Sequence, residues 1–159
     1  NTSTLVSIRD PKNNELIDRC LVTVFIKPKS YTGQNVVEIS AHGGQWTYER
    51  IVDLFISGGC RIAERGEFTY RAFINGKMDL IQAEAVSEII NSDSGLNAAF
   101  ALDNLQGALS QKLEGCFIKL QELVSYMEHE LDFNELELTP SSKSSIIKQA
   151  ENIVLDIKK

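Results

Sequence analysis

Between Leu102 and Leu131 the chain sets Leu102, Leu105, Leu109, Leu113, Cys116, Leu120, Leu123, Met127 and Leu131 at alternating intervals of three and four. An α-helix turns once every 3.6 residues, so this rhythm gathers all of them on one stripe that must be buried against a neighbour. The spacing predicts one long helix whose stripe is bundle core. Leu80, Ala83, Val86 and Ile90 lay an apolar face on an earlier helix, and Ile146, Ala150, Ile153 and Ile157 on a last one. The polar stretch 134–145 links the last two, with Thr139 as cap and Pro140 as first helical residue, where its missing N–H costs nothing.

Before about Asn75 the pattern is different. Leu21-Val22-Thr23-Val24-Phe25-Ile26 is rich in β-branched residues and is stopped by Pro28, and Val36-Val37-Glu38-Ile39 reads as a second strand. Trp46, Ile51, Leu54 and Phe55 recur at helical spacing, and Gly58-Gly59 supplies the left-handed residue that ends many helices. Cys60-Arg61-Ile62-Ala63 is expected to return as a strand. The fold class is therefore α+β: a mixed α/β domain over residues 1–76, then a long-helix bundle domain over 77–159.

Composition narrows what such a chain does. A net charge of −6 opposes gripping an RNA backbone with this segment alone, because phosphate binding needs a concentrated Lys/Arg surface. No apolar run approaches a membrane span, and the first residues lack the charged and apolar regions of a signal peptide. Cys20, Cys60 and Cys116 are odd in number and far apart, without a Cys-x-x-Cys pair, which fits a reducing compartment and small core residues. The start at Asn1 reads as truncated, so a lost transit peptide stays open.

Several catalytic templates are missing. Gly76-Lys77 is followed by Met78 and lacks the upstream glycine of a phosphate loop. His42-Gly43-Gly44 resembles part of an esterase oxyanion loop, but no Gly-x-Ser-x-Gly turn accompanies it; its glycines are expected to let the strand turn into a helix. His42 and His129, the two histidines, have no metal-ligand spacing. No catalytic residue and no metal ligand is assigned.

What remains is a set of ordered motifs: Ser30-Tyr31-Thr32-Gly33, then Val36-Val37-Glu38 leading to His42-Gly43-Gly44, then Gly66-Glu67-Phe68-Thr69-Tyr70-Arg71-Ala72-Phe73-Ile74-Asn75-Gly76-Lys77-Met78-Asp79-Leu80, then Gln82-Ala83-Glu84-Ala85. Leu105-Gln106-Gly107, Leu109-Ser110 and Leu131-Asp132-Phe133 follow. This run resembles the N-terminal region of the MnmE (TrmE) family of tRNA-modification GTPases, over most of the chain and in order.

The resemblance implies a folate-binding, aminomethyltransferase-like domain that also forms a homodimer, followed by the first part of a helical domain. The GTPase domain would begin about where the chain stops, and GTP, Mg and K belong to that absent part. Family members work with the flavoprotein MnmG on the wobble uridine of tRNA, with no membrane, in the cytoplasm or, in a eukaryote, the mitochondrion. The folate is 5-formyltetrahydrofolate or a relative. Two folate contacts carry over, to Glu38 and Lys77. A carboxylate at Glu38 accepts paired hydrogen bonds from the donor edge of a pterin, and an ammonium at Lys77 neutralises a folate carboxylate or polarises the carbonyl of the one-carbon unit. Taken without the resemblance, Glu38 is an outward-facing strand residue and Lys77 a solvated lysine.

One departure matters, and a second carries little weight. The family's glycine-rich N-terminal segment with its arginine is missing before Asn1, and Arg9, at the edge of a turn, does not replace it. Gln34-Asn35 stand where the family usually has an acidic pair. The missing segment favours a second reading, a structural dimerisation module without folate; an aminomethyltransferase acting directly on a small substrate is the weakest reading.

Overall fold

The computed structural model describes residues 2–132 and 140–158, with side-chain burial for 2–129 and 143–158. Two compact units divide at Ala83/Glu84, within one helix. The first is built on an antiparallel sheet ordered β1-β2-β3, with β1 Thr2–Arg9, β2 Leu16–Phe25 and β3 Val36–Ser40.

The β1–β2 hairpin closes on local bonds. Asp10 accepts from Asn14 through its carbonyl (2.8 Å) and from the Lys12 N–H through its carboxylate (2.9 Å). Arg9 donates to the Asn14 carbonyl at 2.9 Å, so it ends its strand at the turn as its sequence neighbours suggest. Ile8 faces Asp18 and Arg9 faces Leu16, which leaves Ile17 as a bulged residue whose side chain reaches the core. β1 is a strand the composition did not reveal. All but one of its residues are exposed, so it carries no alternation of apolar and polar positions to read.

Helix α1 (Gln45–Ser57) supplies Ile51 and Leu54 to a small core with Ile17, Cys20, Ile8 and Ile39. Alternation along the strands decides the faces: Cys20 and Ile39 lie on the core side, and residues one step away lie on the other. Arg50 anchors α1 to the hairpin turn through Asp10 at 3.1 Å and Glu15 at 3.4 Å. Gly59, with φ +98°, carries the chain out of α1.

Two expectations fail here. The segment 60–63 is not a strand: no ladder pairs with it, and the Cys60 N–H instead closes the end of α1 on Phe55 O at 3.0 Å. The stretch after it, which carries no apolar stripe, forms helix α2 (Glu67–Ile74), whose Ala72 is fully buried. Cys20 is buried as expected, but Cys60 is exposed and Cys116 half-buried.

Helix α3 (Leu80–Asn91) crosses the division, and the second unit continues with α4 (Gly95–Leu105), α5 (Ala108–Asp132) and α6 (Pro140–Ile157). Ser94 caps α4 by accepting from the Asn97 N–H at 3.2 Å. The single long helix predicted from Leu102 is two helices. Gly107 at φ +90° breaks the stripe, a conformation that the three-four rhythm of the flanking leucines cannot report. Within this unit α5 packs on α4 and on α6, with Leu123 and Ile153 buried and Lys119 Nζ 2.6 Å from Asp156 Oδ2. Pro140 begins α6 as expected; Phe133 and the first half of the linking stretch, 134–139, Thr139 included, lie outside the described residues.

Candidate functional site

The turn between β2 and β3 and the segment around α2 are about forty residues apart, and the structure straps them together. The turn is built locally: Ser30 Oγ donates to the Gln34 carbonyl at 2.5 Å, and the Gln34 N–H donates to Thr32 Oγ1 at 3.3 Å. Gly33 sits at φ +72°, where an L side chain is strained. Three turn residues then find partners beyond residue 68. Tyr31 Oη lies 3.0 Å from Thr69 Oγ1, Asn75 Nδ2 donates to the Thr32 carbonyl at 2.8 Å, and Arg71 donates to Gln34 Oε1 at 2.9 Å. Thr32 is buried as a result. These contacts join the Ser-Tyr-Thr-Gly motif to the Gly-Glu-Phe-Thr and Asn-Gly-Lys motifs.

Lys77 belongs to this strap. Its backbone N–H donates to Ala72 O at 2.9 Å, closing the turn after α2, and its Nζ donates to Pro28 O at 3.2 Å. The aliphatic stem runs so close to Gly33 that a Cβ there would sit 3.1 Å from Lys77 Cγ. The ammonium is exposed at the edge of the turn and carries hydrogens free for another acceptor.

Glu38 is placed differently. It lies in the middle of β3 opposite Thr23, which in turn faces Ser3, and Thr23 Oγ1 is 2.9 Å from Ser3 Oγ. Directly opposed residues share a face, so Ser3, Thr23 and Glu38 form a polar row on the side of the sheet away from Cys20 and Ile39. Glu38 is exposed and makes no side-chain hydrogen bond or ion pair among the described residues. No bond joins Glu38 to Lys77, and neither residue lines the two cavities described next.

The electrostatic centre of the region is Glu67. Its Oε1 takes Arg61 at 2.7 Å and Arg71 at 2.6 Å, while Oε2 takes a second Arg61 bond and the Glu64 N–H, both at 2.8 Å. Arg61 first, then the Glu64 amide and Arg71, hold this carboxyl well below the usual carboxylate range. Beside it opens a cavity of about 340 Å³ lined by Gln34, Asn35, Arg61, Glu67, Phe68 and Arg71 among others. The spacing of Glu67 and Arg71, one helical turn apart, is the sequence signal for half of this network. Arg61 and Gln34 had none.

His42 is fixed by Asp18, a partner nothing in the sequence pointed to. One Asp18 oxygen accepts from the His42 N–H at 2.8 Å and the other lies 2.7 Å from Nδ1. The amide bond leads the causes that bring the Asp18 carboxyl down to about 2. An ionised carboxylate only accepts, so Nδ1 carries the proton and Nε2 faces outward. His42, Gly43 and Gly44 line a second, mostly apolar cavity of about 930 Å³ with Tyr48, Phe55 and Phe68. Gly44 is extended at φ −151°, and a Cβ on Gly43 would meet nothing within 4 Å. The turn into α1 therefore does not require these glycines, contrary to the sequence expectation. Among the described residues no group of three acidic, histidine or cysteine side chains could hold a metal, and no helix is long and apolar enough to cross a membrane.

Residues 1–77 match the family described as "GTP-binding protein TrmE N-terminus" and residues 80–159 the one described as "MnmE helical domain". Proteins named "tRNA modification GTPase MnmE" are similar along nearly the whole chain. That of Bacteroides thetaiotaomicron is 41% identical over 150 residues, covering 94% of this chain and 32% of that protein. That of Carboxydothermus hydrogenoformans is 38% identical over 152 residues, 96% and 33%, and one from Thermus thermophilus is 39% identical over 146 residues, 92% and 34%. The chain spans about a third of the length of these curated relatives. With both of its units matched in order, the chain belongs to the MnmE (TrmE) family of tRNA-modification GTPases.

Proposed function

We propose that this chain is the folate-binding and dimerisation part of a tRNA-modification GTPase, residues 1–76, with the first part of its helical domain, residues 77–159. In this reading the first domain has the aminomethyltransferase-like fold and binds 5-formyltetrahydrofolate or a related folate as one-carbon donor. Two copies pair, and the assembly works with MnmG and tRNA to modify the wobble uridine, in the cytoplasm or, in a eukaryote, the mitochondrion. Nucleotide hydrolysis, with GTP, Mg and K, is assigned to a GTPase domain outside this chain, and the chain itself carries no catalytic residue.

The observation that supports the reading best is the strap between the 28–35 turn and the 69–77 segment, which holds the Lys77 ammonium at an exposed rim beside Gly33. Lys77 supplies a cation to a folate carboxylate or to the carbonyl of the carbon unit. Glu38, unpartnered among the described residues and on an exposed strand face, supplies a carboxylate for the donor edge of a pterin.

Isothermal titration of the chain with 5-formyltetrahydrofolate, beside Glu38→Ala and Lys77→Ala, tests this. Saturable binding weakened by both substitutions upholds it. A folded chain, dimeric by light scattering, that binds no folate supports the alternative of a structural dimerisation module.

A further inference from the structure

We propose that the cavity between the 32–37 segment and α2 is an anion site that takes a carboxylate or phosphate group. Its chemistry is one-sided. Two guanidinium groups, Arg61 and Arg71, line it with one carboxylate, Glu67. Both Glu67 oxygens are already saturated, taking four hydrogen bonds from the two arginines within 3.0 Å and a fifth from Glu64 N–H. Glu64 itself reaches Arg61 only at coulombic range.

The amides complete the pattern. Gln34 Oε1 is taken by Arg71 at 2.9 Å and Asn35 Oδ1 by the Lys27 N–H at 2.9 Å, so both amide orientations are fixed and the unused atoms are NH₂ donors. Each arginine has five N–H donors, and the bonds to Glu67, Ile62 O and Gln34 engage three on each. The side chains around the cavity therefore keep spare donors while their strongest acceptor is used up. A neutral ligand or a water brings hydrogens for which the side chains keep only the second lone pairs of Gln34 Oε1, Asn35 Oδ1 and Thr32 Oγ1; an anion brings acceptors alone, and the surplus guanidinium charge favours it.

About 340 Å³ holds an acid group and a few carbons. Arg61 is 64% exposed and Arg71 41%, so screening keeps the affinity weak and salt-sensitive. The site is a property of this chain: an acidic pair at 34 and 35 would replace both spare amide donors by negative oxygens. It is independent of the folate reading, because neither Glu38 nor Lys77 lines the cavity.

The test is calorimetric titration of the 159-residue chain with inorganic phosphate and, separately, with glutarate, at ionic strength held constant with sodium chloride. Saturable binding in the millimolar range is expected. Gln34→Glu and Asn35→Asp keep the bonds to Arg71 and the Lys27 N–H, so both variants fold; each weakens binding by about tenfold or more through the added like charge. Arg61→Gln weakens it as well, and Glu88→Ala, on α3 and outside the cavity, leaves it within about twofold. Binding of phosphate without glutarate identifies a phosphate group as ligand, and binding of glutarate identifies a carboxylate; either upholds the site. No saturable heat with either probe, or equal affinity in folded Asn35→Asp and Gln34→Glu, overturns it.

Discussion

Gly33→Ala isolates the contact on which the strap depends. Gly33 sits at φ +72°, and an L residue held in the left-handed region costs about 1–2 kcal/mol. The new Cβ would lie 3.1 Å from Lys77 Cγ, 3.2 Å from Asn75 Cβ and 3.3 Å from Lys77 Cδ, all inside the ~3.5–4.0 Å of comfortable carbon contact. Lys77 relieves the clash only by giving up its bond to Pro28 O, and Asn75 only by a backbone shift that displaces the side-chain amide holding the Thr32 carbonyl. Against these costs stands the smaller freedom of unfolded alanine, about 0.4–1 kcal/mol in the opposite direction. The expected net is a loss of about 1–3 kcal/mol. Gly76→Ala provides the control, since Gly76 has φ +68° with nothing within 4 Å of its Cβ position, and the expected loss is about 1 kcal/mol or less. The single tryptophan, Trp46, lies on α1 of the first unit, so its fluorescence in a urea titration reports that unit. Lys77→Ala in the Gly33→Ala background should recover part of the loss, because the crowding Cγ is gone. If Gly33→Ala proves no worse than Gly76→Ala, or if Lys77→Ala recovers nothing, the packing of Lys77 on the turn is refuted.

Other perturbations read other parts of the account. Glu67 has a carboxyl depressed below its ordinary 4.5, so its contribution is present above that pH and is lost as pH falls; urea midpoints should drop on acidification below about pH 5, and Glu67→Gln should flatten that drop. The Asp18 carboxyl, at about 2 against 3.8 unfolded, contributes above pH 3.8 and is lost between there and about 2; Asp18→Asn removes this part of the acid dependence and weakens the hold on His42, seen as a shift in its imidazole proton resonances. Ile153→Ala, at a buried α6 position, should cost about 2–4 kcal/mol in the helical unit, read by circular dichroism.

The parts of the fold that were legible are those with a period. Strands β2 and β3 and helices α1, α3, α5 and α6 carry apolar positions at spacing two or near 3.6 and are legible, although β2 begins five residues before the expected strand and α4 is not separated from α5. β1 is missed because its exposed Thr and Ser leave no pattern, and segment 60–63 is misread because a short, partly apolar run does not by itself supply a partner strand. The helix break at Gly107 was hidden because the stripe keeps its rhythm across it. Of the candidate site, Glu38 and Lys77 came from family motifs. The network that organises the region, Gln34 to Arg71 to Glu67 to Arg61, spans distant segments, and only its one-turn Glu67–Arg71 pair is local. Asp18 was invisible for the same reason, being 24 residues from His42.

The most direct measurement of the central claim is a titration of the ¹⁵N-labelled chain with 5-formyltetrahydrofolate followed by amide resonances. The account predicts saturable shifts at Glu38, at the 30–35 turn and at Lys77, with the same midpoint at all three and little change beyond residue 84. Shifts confined to the helical unit, or a folded chain whose resonances do not move, would contradict it.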